Sequence, residues 1–256
     1  MSTLQFYEQP VNERMRAFLR LEHLFAKIDF GAGAQDTWSN RAALLGLIEL
    51  TTMLSRSEIK GELIKELDRH LQTLESLSAD PRVDRERLTD IGQQLAGRLT
   101  ALKKQDVAFG HELRSNELIN AVRQRSAIPA GTCDFDIPAL HFWLAQPAAR
   151  RSHDLGRWLS HYGLVRAAVD LCMGLVRQSA TFSNETATAG FFQMTLDGAQ
   201  PCQLIRVAIP TDSTCFTEIS AGKHRFTVRF MEQGAAEQRA KQAAHDVDFT
   251  LHCCTL

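Results

Sequence analysis

Apolar residues recur at intervals of three and four along the first two thirds of the chain. Met15, Phe18, Phe25 and Ile28 take that spacing in NERMRAFLRLEHLFAKI, which predicts an amphipathic helix capped by Asn12. Gly31-Ala32-Gly33 reads as a loop, and Asp36 then caps a helix to about Leu54. EIKGELIKELDRHLQTLESL aligns Ile59, Leu63, Leu67, Leu71 and Leu74 on one face. Asp80-Pro81 punctuates, Asp84 caps, and RERLTDIGQQLAGRLTALKK aligns Leu88, Ile91, Leu95, Leu99 and Leu102. Long helices in succession with short joins imply an antiparallel bundle. Pro147 opens a further helix that Arg150, Arg151 and Arg157 make basic. LVRAAVDLCMGLVRQ is apolar on most sides, Cys172 included, as a buried central helix requires.

Near Ser179 the period changes to two. Segments 190–197, 203–209, 215–220, 224–231 and 246–254 read as strands separated by turn residues. In the fourth, Phe226, Val228 and Phe230 face one way while Arg225, Thr227 and Arg229 face the other. Residues 233–244 are polar and alanine-rich, a hairpin connection or a short helix. LQFYE, before Pro10, is a short strand with no helical neighbour, free to join the sheet. The pattern therefore predicts an α+β fold: a helical bundle domain over 11–178, and a small, mostly antiparallel β domain from 1–10 plus 179–256.

Composition narrows the function. A net charge of −1 and 44% apolar residues describe a globular chain and argue against a general nucleic-acid or membrane-surface binder. Residues 178–256 carry 6 Lys+Arg against 8 Asp+Glu, so any basic site is a local arrangement. No apolar run is long enough to span a bilayer, and MSTLQFYEQP lacks the basic-then-apolar order of a signal peptide, which predicts a cytoplasmic protein. The six cysteines show no regular spacing and are expected as thiols. Cys253 and Cys254 with His252 read as a strand end, one thiol in and one out, ahead of a metal site.

The stretch ELINAVRQRSAIPAGTCDFDIPALHFWL, residues 117–144, concentrates the chemistry. It opens as a helix with Ser115 as cap and Arg123 and Arg125 on its last turn, where cations suit the dipole. Ile128-Pro129-Ala130-Gly131 breaks it, with Gly131 available for positive φ. Asp134 and Asp136 either cap the helix that begins near Pro138 or bring two carboxylates together for metal or acid–base work. An ordered loop of this kind is a domain corner or a binding lip. A second basic element is the stripe Arg16, Arg20, His23 and Lys27 on the first helix, a solvated face or a surface for a carboxylate-bearing peptide.

The run VRQR-x-x-IP-x-G-x-C-x-FD-x-P-x-L-H-x-WL resembles the corresponding run of the division-associated ZapD family. FYEQPVNERMRAFLRLE, GELIKELDRHLQTLE, LVRQSATF, SAGKHRFTVRFM and DFTLHCC agree with it in the same order, so the resemblance spans nearly the whole chain. It implies a non-enzymatic cytoplasmic homodimer of a helical and a β domain, acting at the mid-cell division site. Its implied partner is the C-terminal tail of FtsZ, the tubulin-like division GTPase, whose filaments it cross-links. Glu117 departs from the family pattern, which has arginine there.

No P-loop, GxGxxG, HExxH, GxSxG or zinc-finger spacing is present. Two classes of function stand. In the first, Arg16, Arg20, Arg56, Arg123, Arg125, His141, Lys223, Arg225 and Arg229 bind a carboxylate-bearing extended peptide, since the planar guanidinium grips carboxylates bidentately. That reading needs no cofactor, metal, nucleic acid or membrane insertion. In the second, a hydrolase or transferase works through His141 and Asp136.

Overall fold

In a computed structural model, residues 3–55, 58–78, 81, 83–198 and 201–255 are described. Arg56 and Asp80, singled out above, lie outside them. The chain divides into two compact units: residues 20–172, and residues 1–19 together with 173–256. The fold is α+β, helices first and antiparallel sheets after.

The helices are α1 (Glu13–Gly33), α2 (Thr37–Leu54), α3 (Glu58–Leu77), α4 (Arg85–Lys104), α5 (Glu117–Arg125), α6 (Pro138–Leu144), α7 (Ala148–Ser160) and α8 (Gly163–Gln178). Capping starts α1, α2 and α4 where the sequence put them. Asn12 Oδ1 accepts from the Met15 amide at 2.9 Å, Asp36 from Ser39 at 2.8 Å and Asp84 from Glu86 at 3.0 Å. The loop expected at Gly31-Ala32-Gly33 is instead the last turn of α1. Gly31 serves close packing there, because a Cβ would come within 2.8 Å of the Ala43 Cβ on α2. The cap of α5 is Asn116, which accepts from Ile119 at 3.1 Å, and not Ser115. Ser115 already belongs to a 3-10 turn, His111–Ser115, so its backbone is not extended as a cap must be.

Two further corrections fall between α5 and α7. The positive φ after Pro129 belongs to Ala130, at 55°, and not to Gly131. A Cβ on Gly131 would press within 2.8 Å of the Arg125 carbonyl oxygen, so here too the glycine permits close approach. Neither Asp134 nor Asp136 caps α6: Ile137 holds the cap position without a side-chain bond. Arg151, read as part of a basic face, is only 5% exposed. Its Nε donates to Asn40 Oδ1 at 2.5 Å and its Nη2 to the Gln35 carbonyl at 2.5 Å. Its Nη1 serves the carbonyls of Leu144, at 3.0 Å, and Gln146. Asn40, fully buried, completes the set by donating to the carbonyls of Gly31, at 2.6 Å, and Ala34, at 3.0 Å.

The strands are β1 (Leu4–Pro10), β2 (Ala180–Ala187), β3 (Phe191–Thr195), β4 (Leu204–Pro210), β5 (Cys215–Ala221), β6 (Arg225–Glu232), β7 (Lys241–Gln242) and β8 (Val247–Cys254). They form two antiparallel sheets, β1-β4-β8-β2 and β3-β6-β5, with β7 on β6. The N-terminal strand joins the first sheet. β2 had no counterpart in the sequence reading, because ATFSNETA is a polar edge strand with little burial to give it a period. The predicted face of β6 is inside: Phe226, Val228 and Phe230 meet Ile205, Val207 and Ile209 of β4 and Phe249 and Leu251 of β8. Each such side chain contributes about 1.5–3 kcal/mol through burial. On β1, Glu8 lies 2.9 Å from Arg177 Nε and 2.7 Å from Arg206 Nε.

Replacing Arg151 by Met leaves the carbonyls and Asn40 without donors. It is expected to cost about 3–5 kcal/mol in urea unfolding, whereas Arg150→Met, at an exposed position, changes less than about 0.5 kcal/mol. Burial pushes the Glu8 carboxyl up, but the hydrogen bonds and charge of Arg177 and Arg206 outweigh it and hold its pKa below the ordinary value. A carboxylate stabilised in the folded state contributes above its unfolded pKa and loses that contribution as pH falls through the folded one. Glu8→Gln is therefore expected to cost roughly 2 kcal/mol near neutral pH. The gap to the unsubstituted protein closes below the usual carboxylate range in unfolding curves taken across pH.

Candidate functional site

The buried Arg151 cluster fixes the start of α2 and the end of α6, and these two elements line an open cavity of about 260 Å³. Thr37, Trp38 and Arg41 line it from α2; Asp134, His141 and Leu144 line it from the 117–144 stretch, with Ala145 just after α6. Arg41 stacks over the Trp38 ring, 5.3 Å from its centroid, and its guanidinium donates to the Thr132 carbonyl and, at 2.6 Å, to the Thr132 hydroxyl. His141 Nδ1 lies 3.0 Å from Asp134 Oδ2, with both side chains nearly two-thirds exposed. In the lining Trp38 is 74% exposed, and Phe135 and Phe142, next in sequence to the lining residues Asp134 and His141, are 86% and 68% exposed. Exposed aromatic rings beside cations suit a partner that is part apolar and part anionic.

The Asp134–Asp136 pair is thereby split. Asp134 takes His141, while Asp136 Oδ2 accepts from the Cys133 thiol at 3.0 Å. Burial and the negative charge of Asp136 are not alone there: the Asp136 bond itself is the largest influence pushing the Cys133 thiol up. His141 and Asp136, the pair suggested for catalysis, thus have different partners, and among the described residues the cavity lining holds no serine or cysteine.

The other sequence candidates distribute over both units. In the helical unit Arg20 and Arg125 are exposed and form no ion pair among the described residues. Arg123 donates to Asn120 Oδ1 at 2.9 Å and, with Arg114, Thr51, Thr52, Ser55 and Phe109, lines a second cavity of about 440 Å³. In the β unit Arg16 pairs with Glu13 at 3.1 Å, so part of the α1 stripe is neutralised locally. Lys223, Arg225 and Arg229 are exposed, the two arginines on the outer face of β6. Arg229 stands between Phe191 and Glu218 in register. Trp38, Arg41 and Thr132 escaped the sequence reading. Its one available signal was a tryptophan and an arginine three apart, just after the Asp36 cap.

The fold is that of an α+β protein, and a family profile described as a cell division protein matches residues 19–229. The chain belongs to the ZapD family. It is similar to the cell division protein ZapD of Methylococcus capsulatus, 41% identical with 98% of each chain covered. It is also similar to that of Azoarcus sp., 36% identical over 98% of this chain and 99% of the relative, and of Coxiella burnetii, 33% identical over the whole of both.

Because Trp38 and Phe142 are largely exposed, Trp38→Ala and Phe142→Ala are expected to alter unfolding free energy by under about 1 kcal/mol. Trp143→Ala, 6% exposed and ring-stacked 5.7 Å from Trp158, is expected to cost about 3–5 kcal/mol in the same denaturation assay.

Proposed function

We propose that this protein is a non-enzymatic division adaptor that binds the C-terminal tail of FtsZ and cross-links FtsZ filaments as a homodimer. Membership of a cell-division family supports the process. The single observation that carries the binding chemistry is the set of exposed cations without ion-pair partners among the described residues: Arg20, Arg125, Lys223, Arg225 and Arg229. Arg16, paired with Glu13, His141, beside Asp134, and Arg123, bonded to Asn120, join the reading as partly committed groups; Arg56 is carried by the sequence pattern alone. Candidate positions lie in the helical domain (11–178) and, separately, in the β domain (1–10 with 179–256). An extended acidic tail would meet guanidinium groups through its carboxylates, and its apolar residues would meet the Trp38 and Phe142 rings.

Cross-linking follows from two-fold symmetry, because a dimer carries two equal tail sites on one body. Each contact can be weak, since a polymer presenting many tails turns the second binding event into an intramolecular one. The reading puts the protein in the cytoplasm at mid-cell. Among the described residues, no single helix is long and apolar enough to cross a membrane.

Cosedimentation with GTP-assembled FtsZ, with and without its C-terminal tail, tests this directly. Pelleting and bundling are expected only with the intact tail, and pelleting with neither sinks the proposal. Arg20→Glu and the double variant Arg225→Glu/Arg229→Glu are expected to weaken tail binding roughly tenfold. Their folding should stay intact, checked by unfolding curves. Raising salt is expected to weaken binding as exposed charges are screened; affinity that ignores salt would argue for an apolar site instead.

A further inference from the structure

We infer that Cys215, Glu232 and His245 form a binding site for a divalent transition-metal ion of the zinc type. One ligand atom from each, a thiol sulfur, a carboxylate oxygen and an imidazole nitrogen, lies within 4.8 Å of the other two. A tetrahedral ion with bonds of about 2.0–2.3 Å holds its donors roughly 3.3–3.7 Å apart. The remaining distance, about 1 Å, is within side-chain rotation for Glu232 and His245, whose side chains are 44% and 57% exposed.

The backbone brings the three together independently of any ion. Cys215 and Glu232 are register partners at the open end of the β5–β6 hairpin, so their side chains leave the sheet on the same face. That face is the inner one. On β6 it runs Phe226, Val228, Phe230 and then Glu232, an apolar series that ends in a carboxylate. Cys215 is 6% exposed, and burial first, then the Glu232 charge, pushes its thiol up. A buried thiol facing a carboxylate is an unfavourable neighbourhood for a thiolate, and a bound cation reverses that. Lys241 stands opposite Glu232 in register but forms no ion pair with it among the described residues.

His245 comes from the segment between β7 and β8, which is tied down on both sides. The Ala243 amide donates to the Phe230 carbonyl at 2.9 Å, and Asp246 Oδ1 accepts from the Ala189 amide at 2.8 Å. His245 Nδ1 already lies 3.4 Å from Glu232 Oε1. A set of thiolate, imidazole and carboxylate suits zinc or cobalt, and not magnesium or calcium, which take oxygen ligands. On binding, the Cys215 thiol gives its proton to solvent and coordinates as thiolate, with water in the fourth position. The ion would join β5, β6 and the segment before β8.

Titrating the metal-free full-length protein with cobalt(II), followed by visible absorption, tests the site. One cobalt per chain is expected, with thiolate-to-metal and four-coordinate bands that zinc displaces and that vanish in Cys215→Ser. Glu232→Gln and His245→Ala are expected to weaken zinc binding by about 100-fold or more in chelator competition. Absence of the bands in the unsubstituted protein overturns the site, as does their survival in Cys215→Ser, which would assign the metal to other cysteines. If Cys215→Ser fails to fold, His245→Ala decides, because its side chain is mostly exposed: unchanged zinc affinity there overturns the site equally.

Discussion

A guanidinium removed from water must have its donors met inside the protein, and the way Arg151 meets this demand organises the helical unit. Its partners are not carboxylates but the Gln35, Leu144 and Gln146 carbonyls and Asn40, which itself holds the end of α1 through Gly31 and Ala34. Those carbonyls sit at a helix end or a helix junction, where backbone acceptors have no partner in their own helix. One positive charge among oriented carbonyl dipoles thus satisfies two chain breaks at once, α1–α2 and α6–α7, and ties these four helices together. Any side chain that lines the cavity between α2 and α6 inherits its position from this cluster.

The surface that results has two textures. Around Trp38 and His141, polar groups and aromatic rings are interleaved, and the polar groups are partly committed: Arg41 to Thr132, His141 to Asp134. On the outer face of β6 and at Arg20 the cations are uncommitted among the described residues. Committed cations are pre-organised and lose little side-chain entropy on binding; uncommitted ones attract at longer range and are screened by salt.

The β unit shows why residue pattern and residue role can separate. Glu232 continues the inward period of Phe226, Val228 and Phe230, so periodicity alone calls for an apolar residue there. The carboxylate is tolerated because the strand is ending at the rim, where His245 and solvent reach it. Glu8, by contrast, is held on the edge strand β1 by two guanidinium groups. The same residue type is a structural ion pair in one place and a candidate ligand in the other, and only the neighbours distinguish them.

Apolar spacing by itself determined the helices of the first two thirds, the caps Asn12, Asp36 and Asp84, the α+β order and the inward face of β6, because these are local consequences of period and hydrogen bonding. The matched runs carried the family. What the tertiary structure decided was of another kind. Arg151 is indistinguishable in sequence from its exposed neighbour Arg150, since burial depends on elements more than a hundred residues away. Gly31 and Gly131 looked like turn formers, yet each is required by a side chain or carbonyl pressed against it. Asp134 and Asp136 looked like one pair, and the loop turned them to different partners. Cys215, Glu232 and His245 share no recognisable spacing, because strand register and not sequence interval brings them together.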